Sequence, residues 1–217
     1  MNRRAFYFDK WSTWHDWRCT LTAKDLTPPE PKLNLVEIDG AHGALDLTEA
    51  LTGEPVYDTR TASASFMCSE GTHRERETLL RRITTTIHGR RLPIIDPDDP
   101  EHFLLGRVTI KEAINSVAYL SFKTEAICDP WRYALEETTR AVPVSGSVAV
   151  VLTNDGDKTL CPTVTTTGTL DLTFNGKTVR KTAGVYKFTD LRLPHGSTVV
   201  GVSGRGSVTF TYREAVL

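Results

Sequence analysis

Hydrophobic and polar residues alternate along most of this chain, as they do in half-buried strands. In "DWRCTLTA" Trp17, Cys19 and Leu21 share one face. In "NSVAYLSFKTEAICDPWRY" Val117, Tyr119 and Ser121 fall on one side, and Ala118, Leu120 and Phe122 on the other. "KLNLVEIDG" and "VYDTRTASASFMC" read as further extended segments, and "RLPIIDPDDPEHFLLGRVTIKEA" as strand, acidic turn, strand. The period changes once. In "SEGTHRERETLLRRITTTIHGRRLP" Leu79, Leu80, Ile83 and Ile87 recur at helical spacing, with Arg74, Glu77 and Arg81 on the charged side. Thr72 and Glu75 have the spacing of a capping box, and Gly89 with Pro93 beyond it marks a stop. The pattern predicts a helix over residues 72–88, with its apolar stripe laid on a sheet.

After about Val144 the signal is almost purely β, in short segments separated by Gly-marked turns. Asn175-Gly176 between alternating residues is a two-residue hairpin, because both positions tolerate the positive φ of a type I′ turn. That turn sets Leu172 opposite Val179 and Phe174 opposite Lys177. "DPWRYALEETTRAVPV", with its charge, its two prolines and weak periodicity, is the best boundary. The expected fold is mainly β in two domains: residues 1–133, β with the helix, and residues 134–217, a β-sandwich or jelly roll.

Composition narrows the function. At 217 residues, two modest cores can form. The 26 basic residues against 27 acidic give no basic excess for sequence-independent nucleic-acid binding. No apolar run approaches the roughly 20 residues of a membrane-spanning helix, and in "MNRRAFYFDKW" Asp9 and Lys10 interrupt any signal-peptide core. Cys19, Cys68, Cys128 and Cys161 stand far apart without a C-x-x-C pair, as buried reduced thiols of a cytosol-made protein would.

No motif assembles into a reactive centre. "NGKT" (Asn175 to Thr178) ends like a phosphate-binding loop, but Asp171 stands where that loop needs glycine, and a strand follows instead of a helix. His15, His42, His73, His88, His102 and His195 show no H-E-x-x-H spacing. "DPDDPEH" lacks the glycine and the spaced ligands of a calcium loop and reads as an acidic turn. Trp11, Trp14 and Trp17 suit a sugar platform, a core or a subunit contact. No catalytic, cofactor or metal residues are expected. "IDGAHGALDLTEALTG", residues 38–53, gathers glycines and acids that fit none of these chemistries.

The run "PKLNLVEIDGAHGALDLTEALTGEPVYDTR", then "IHGRRLPIIDPDDPEHFLLGRVTI", then "GSVTFTYREAVL", resembles the distal tail proteins (Dit) of long-tailed, non-contractile bacteriophages and prophages. Three features carry it: a strand into G-x-x-G and "LDLTE", a "Y-x-x-R" segment, and "HG+" before an acidic hairpin closing on "GR". The resemblance implies an N-terminal β-sandwich with one helix that forms a hexameric ring, and a galectin-like C-terminal β-sandwich. It implies a structural, non-enzymatic protein at the distal end of the virion's tail, assembled in the bacterial host cytoplasm. Its implied partners are copies of itself, the tail-tube protein and the tail-tip hub, with the tape-measure protein and a receptor-binding protein as further candidates; no membrane and no sequence-specific nucleic acid are implied. The C-terminal region is short for a domain with receptor-binding arms. A carbohydrate-binding module that aids cell-wall attachment is the alternative. A ring must close through two different patches on each protomer, so Ile38, Gly40, Gly43, Asp46 and Leu47 are expected at an assembly interface.

Overall fold

A computed structural model describes residues 5–217; Arg3 and Arg4, the basic start of the opening stretch, lie outside the described residues. The chain divides into two compact units, one ending at Arg132 and the other Tyr133–Leu217.

The first unit contains β1 (Tyr7–Phe8), β2 (Trp11–Ser12), β3 (Thr20–Leu26), β4 (Leu35–Glu37), β5 (Ala44–Asp46), β6 (Arg60–Cys68), α1 (His73–Ile87), β7 (Arg91–Asp96), β8 (Asp99–Asn115) and all but the last two residues of β9 (Leu120–Ala134). Seven of these strands make one sheet in the order β2-β1-β7-β8-β9-β6-β3. The sheet curls on itself, because Lys24 on β3 at one end donates to Asp96 on β7 near the other. Along β6 and β9 alternate residues point inward: Ala62, Ala64, Phe66 and Cys68 beside Leu120, Phe122, Ala126 and Cys128. Phe6 and Phe8 close over them, with ring centroids 6.0 and 6.1 Å from Phe66.

Helix α1 starts where the capping box places it. Glu75 N–H donates to Thr72 Oγ1 at 3.3 Å, and Thr72 N–H donates back to the Glu75 carboxylate at 2.7 Å. Those bonds hold the Glu75 carboxyl below its ordinary pKa. The helix buries Ile83 and Ile87 completely, each worth about 1.5–3 kcal/mol of transfer free energy. The alternation and the helical stripe are therefore sound guides to this core.

Arg76 departs from them. It lies among charged neighbours in sequence yet is buried, and its guanidinium donates to the carbonyls of Gly71 (2.6 Å), Ser116 (2.9 Å) and Val117 (2.6 Å). It ties the first turn of α1 to the β8–β9 turn. Arg76→Met is expected to cost about 3 kcal/mol, because three carbonyls lose their donor; guanidinium unfolding of the variant against the parent measures it.

The second unit contains β10 (Thr138–Asn154), β11 (Thr163–Phe174), β12 (Lys177–Lys181), β13 (Gly184–Lys187), β14 (Gly196–Tyr212) and β15 (Ala215–Val216). β10 and β14 run antiparallel through seventeen pairs, and β11 lies on the far side of β14. The hairpin at Asn175 (φ 50) and Gly176 (φ 73) has the predicted register, Leu172 opposite Val179 and Phe174 opposite Lys177.

Even-numbered residues of the three long strands face inward, from Val144 and Leu152 to Val202 and Phe210. Midway along, that inward row is glycine: Gly146 pairs with Gly204, and Gly168 with Gly206, all at positive φ. A Cβ on Gly168 or Gly206 would overlap a backbone carbonyl oxygen of the neighbouring strand, Arg205 or Thr167. Val144, Val164 and Phe210 on one side of this row join Val150, Leu172 and Val202 on the other in one core. The fold class is mainly β, with curled sheets serving as sandwiches.

Candidate functional site

Between β3 and β6 the chain leaves the sheet and forms an arm. Its base is closed by Lys32 N–H to Val56 O at 2.7 Å and by Asp58 N–H to Glu30 O at 2.8 Å. Beyond the base, β4 and β5 pair as Leu35 with Asp46, Val36 with Leu45 and Glu37 with Ala44. Prolines at both feet (Pro28, Pro29, Pro31 and Pro55) keep these segments out of the main sheet, where they could not donate.

No residue between 31 and 59 is buried, and 31–46 are exposed throughout. Yet the arm carries Leu33 (64% exposed), Leu35, Val36, Ile38, Leu45, Leu51 (95% exposed) and Val56. Exposed apolar side chains gathered this densely mark an interaction surface.

All five predicted interface residues lie on this arm. Ile38, Gly40 and Gly43 form the loop joining β4 to β5, Asp46 ends β5, and Leu47 N–H donates to Asn34 O at 2.8 Å. Asp46 accepts from Thr48 N–H at 2.9 Å, and the Thr48 side chain and backbone hold its carboxyl below the ordinary range. Gly40 (φ 83) and Gly43 (φ 76) adopt left-handed conformations, and a Cβ on either would meet nothing within the protomer. The turn, and no close packing inside the chain, requires glycine there.

The arm is anchored at its feet by the "Y-x-x-R" segment. Arg60, 3% exposed, donates from Nε to Thr27 O at 3.0 Å and reaches the carbonyls of Leu26 and Pro130 at 3.5 and 3.4 Å. Burial, with Arg132 nearby, lowers its pKa from the usual arginine value. Tyr57 packs edge-on against Trp131 at 5.6 Å. One end of β6 thus grips both sides of the arm.

The other recognised motif is also structural. Gly89 N–H donates to Val108 O at 2.8 Å, Arg107 donates to Gly89 O at 2.6 Å, and His88 Nδ1 accepts from Ile110 N–H at 3.0 Å. A Cβ on Gly106 would overlap the Cys128 thiol. "HG+" and "GR" therefore lock the end of α1 onto β8.

The charged side chains of the acidic turn and of the Asn175 hairpin are held in ion pairs. In "DPDDPEH", Asp96 and Asp98 face Lys24, while Asp99 bonds His102 at 2.7 Å and Arg132 at 3.0 Å. Burial would raise the Asp99 pKa, but those two partners hold it below the ordinary carboxylate range. Among the described residues no three His, Cys, Asp or Glu side chains converge as a metal site requires. Asp171 is engaged by Arg180 at 2.8 Å. Trp17 is core, stacked on Phe8, whereas Trp11 and Trp14 stay half-buried. In the second unit Tyr186 and Phe188 stack at 6.1 Å, but Lys181 lies over both rings, at 5.0 and 5.7 Å. No helix among the described residues is long and apolar enough to cross a membrane.

Cys19, Cys68 and Cys128 are buried free thiols, and Cys161 is half-buried. Burial pushes the Cys128 thiol up to about 12, and burial with the adjacent Cys68 raises that of Cys19. A maleimide probe is expected to label Cys161 alone in the native protein and all four cysteines after denaturation without reductant, counted by mass spectrometry.

The chain superposes on the crystal structure of the SPP1 Dit protein (gp 19.1) with a TM-score of 0.67, at 15% identity, over 96% of this chain and 98% of that one. The fold is that of a phage Dit protein. No protein-family model matches the sequence, and no curated protein sequence matches it. The shared fold extends over nearly the whole length of both chains, while few residues are identical.

Proposed function

We propose that this protein is a structural, non-enzymatic component of a phage tail tip, assembling through its first unit as a hexameric ring. The ring connects the tail tube to the tail-tip hub or fibre proteins at the distal end of the virion. The SPP1 Dit protein is described as a paradigm of the hub adsorption apparatus in phages that infect Gram-positive bacteria, and its fold extends over 96% of this chain. The observation that carries the reading is the arm: seven large apolar residues held out in solvent on a rigidly anchored hairpin. A monomer gains nothing from holding them there, whereas a closed ring needs a projecting patch on each protomer to fit a different patch on its neighbour. The interface residues Ile38, Gly40, Gly43, Asp46 and Leu47 belong to that patch. The protein would be made and assembled in the host cytoplasm, consistent with four reduced cysteines. The carbohydrate-binding alternative needs an open aromatic face, and the stacked pair on the second unit has Lys181 across it.

Negative-stain electron microscopy of the purified protein, alone and with its tail-tube subunit, tests this. Six-fold rings, a light-scattering mass near six protomers and a blank glycan array are expected. Glycan binding by a protein that forms no ring even with the tube subunit would replace this reading with the alternative.

A further inference from the structure

The ring reading leaves open where the arm of one protomer lands on the next, and charge supplies an answer. Residues 28–59 hold seven carboxylates (Glu30, Glu37, Asp39, Asp46, Glu49, Glu54 and Asp58) against a single cation, Lys32. The arm is therefore acidic as well as apolar, in a chain whose total charge is near zero. Elsewhere in the same unit the balance is reversed. From residue 78 to residue 91 there is no acid and there are four arginines, Arg81, Arg82, Arg90 and Arg91. Beside them lies the hairpin that begins with β1 and β2. There Lys10 sits over the Trp11 ring at 5.6 Å, Arg82 of α1 over the same ring at 5.7 Å, and Arg18 over Trp14 at 5.6 Å. Lys10, Arg18 and Arg82 are exposed, and both tryptophans are half-exposed.

We propose that the acidic arm of one protomer seats on this basic, tryptophan-bearing face of a second copy, formed by Lys10, Trp11, Trp14, Arg18 and Arg82. The proposal rests on the self-assembly reading and names the surface that completes it. The two surfaces match in sign and in kind. Leu35, Val36, Ile38 and Leu45 supply aliphatic area, the half-exposed indoles supply apolar edges between the cations stacked on them, and the carboxylates of the arm meet Lys10, Arg18 and Arg82, which outnumber Asp9 and Asp16 on the same surface. Tryptophan and arginine are the residues that concentrate binding energy at protein interfaces. The arm does not use its own protomer's face, since residues 31–46 are exposed throughout. Like-with-like contact is disfavoured as well: arm against arm sets seven carboxylates against seven, and basic face against basic face repels. The contact is thus heterologous, projecting patch to receiving patch, which is the geometry that closes a ring.

The test uses the full-length chain at low salt. A benzophenone side chain introduced at Leu45 is photo-activated in a mixture of isotopically heavy and light protein, and the cross-linked peptides are identified by mass spectrometry. Heavy–light cross-links from the arm to residues 10–18 or 78–91 are expected. The double variant Arg81→Glu with Arg82→Glu is expected to weaken self-association at least tenfold by sedimentation. Adding Glu37→Lys, Asp39→Lys and Glu49→Lys to that variant should restore it, and raising salt should weaken the parent in the same direction. Circular dichroism checks that the variants, all at exposed positions, remain folded. Self-association with arm cross-links landing elsewhere overturns this docking and leaves the ring reading standing. Absence of any self-association at low salt also overturns it, because an arm-to-face contact needs only two copies. Whether rings then form on the tail tube, judged by microscopy, decides the ring reading separately.

Discussion

Replacing residues 33–55 with a four-residue Gly-Ser linker is expected to leave a folded protein that has lost its self-association. The two feet lie side by side, bonded from Lys32 N–H to Val56 O, so a short linker spans the gap without strain. Nothing in the removed segment is buried, so neither core loses a contact, and shortening the loop slightly reduces the entropy lost on folding. The melting temperature should move by no more than about 3 °C, corresponding to about 1 kcal/mol. The removed segment includes six exposed large apolar residues and five of the seven carboxylates, Glu37, Asp39, Asp46, Glu49 and Glu54. Self-association should fall ~100-fold or more, about 2.7 kcal/mol. Sedimentation velocity over a concentration series, paired with thermal melting, measures both quantities. A collapse of the melting transition would show that the arm belongs to the fold of the protomer; undiminished association would remove it from the interface.

Gly206→Val is expected to unfold the second unit while the first keeps its own transition. Gly206 sits at φ 147 on the inward row of β14, and a side chain there would drive into the Thr167 carbonyl oxygen of β11. The neighbours have little room to retreat, since Ser207 N–H is bonded to Thr167 Oγ1 at 2.9 Å across the same pair of strands. The expected cost is about 4 kcal/mol or more, a large share of the 5–15 kcal/mol that stabilises a typical domain. Gly146→Ala is the control. It shares the row and a positive φ of 99, but its Cβ would meet nothing within 4 Å, so only backbone strain of about 1 kcal/mol applies. Hydrogen exchange read separately for the two units distinguishes the outcomes. Equal effects from the two substitutions would mean that crowding against the Thr167 carbonyl is not what requires glycine at position 206.

Much of the fold is legible in the chain because its signals are local. The helix needs only the recurrence of Leu79, Leu80, Ile83 and Ile87, closed by a capping box between residues three apart. The hairpin at Asn175-Gly176 needs only two residues that tolerate positive φ, and its register follows from the turn. The acidic turn in "DPDDPEH" follows from the turn preferences of Asp and Pro, but its ion partners Lys24 and Arg132 come from distant strands and could not be read locally. Arg76 and Arg60 are hidden for the same reason. The burial of each becomes visible only when the carbonyls it serves, up to seventy residues away, are in place.

The candidate site divides in a similar way. The glycines and acids of residues 38–53 stand out in the sequence as a stretch without chemistry, and they prove to be the outer part of a longer arm. Leu33, Leu35 and Val36 read as an ordinary strand, because alternation reports which residues share a face and not whether anything covers that face. The prolines at the arm's feet and the "Y-x-x-R" segment were the available signals for where it begins and ends.

The sequence by itself determined the classes of element, the helix and its cap, and the hairpin turn at Asn175-Gly176, since each depends on side-chain periodicity, backbone preference or the spacing of a few residues. Only the tertiary structure decided which apolar residues were left in solvent, which arginines were buried as clamps, and that four scattered glycines pair in one row across three strands. Those properties belong to pairs of residues far apart in the chain, and distance in sequence carries no information about distance in space until the strands have paired.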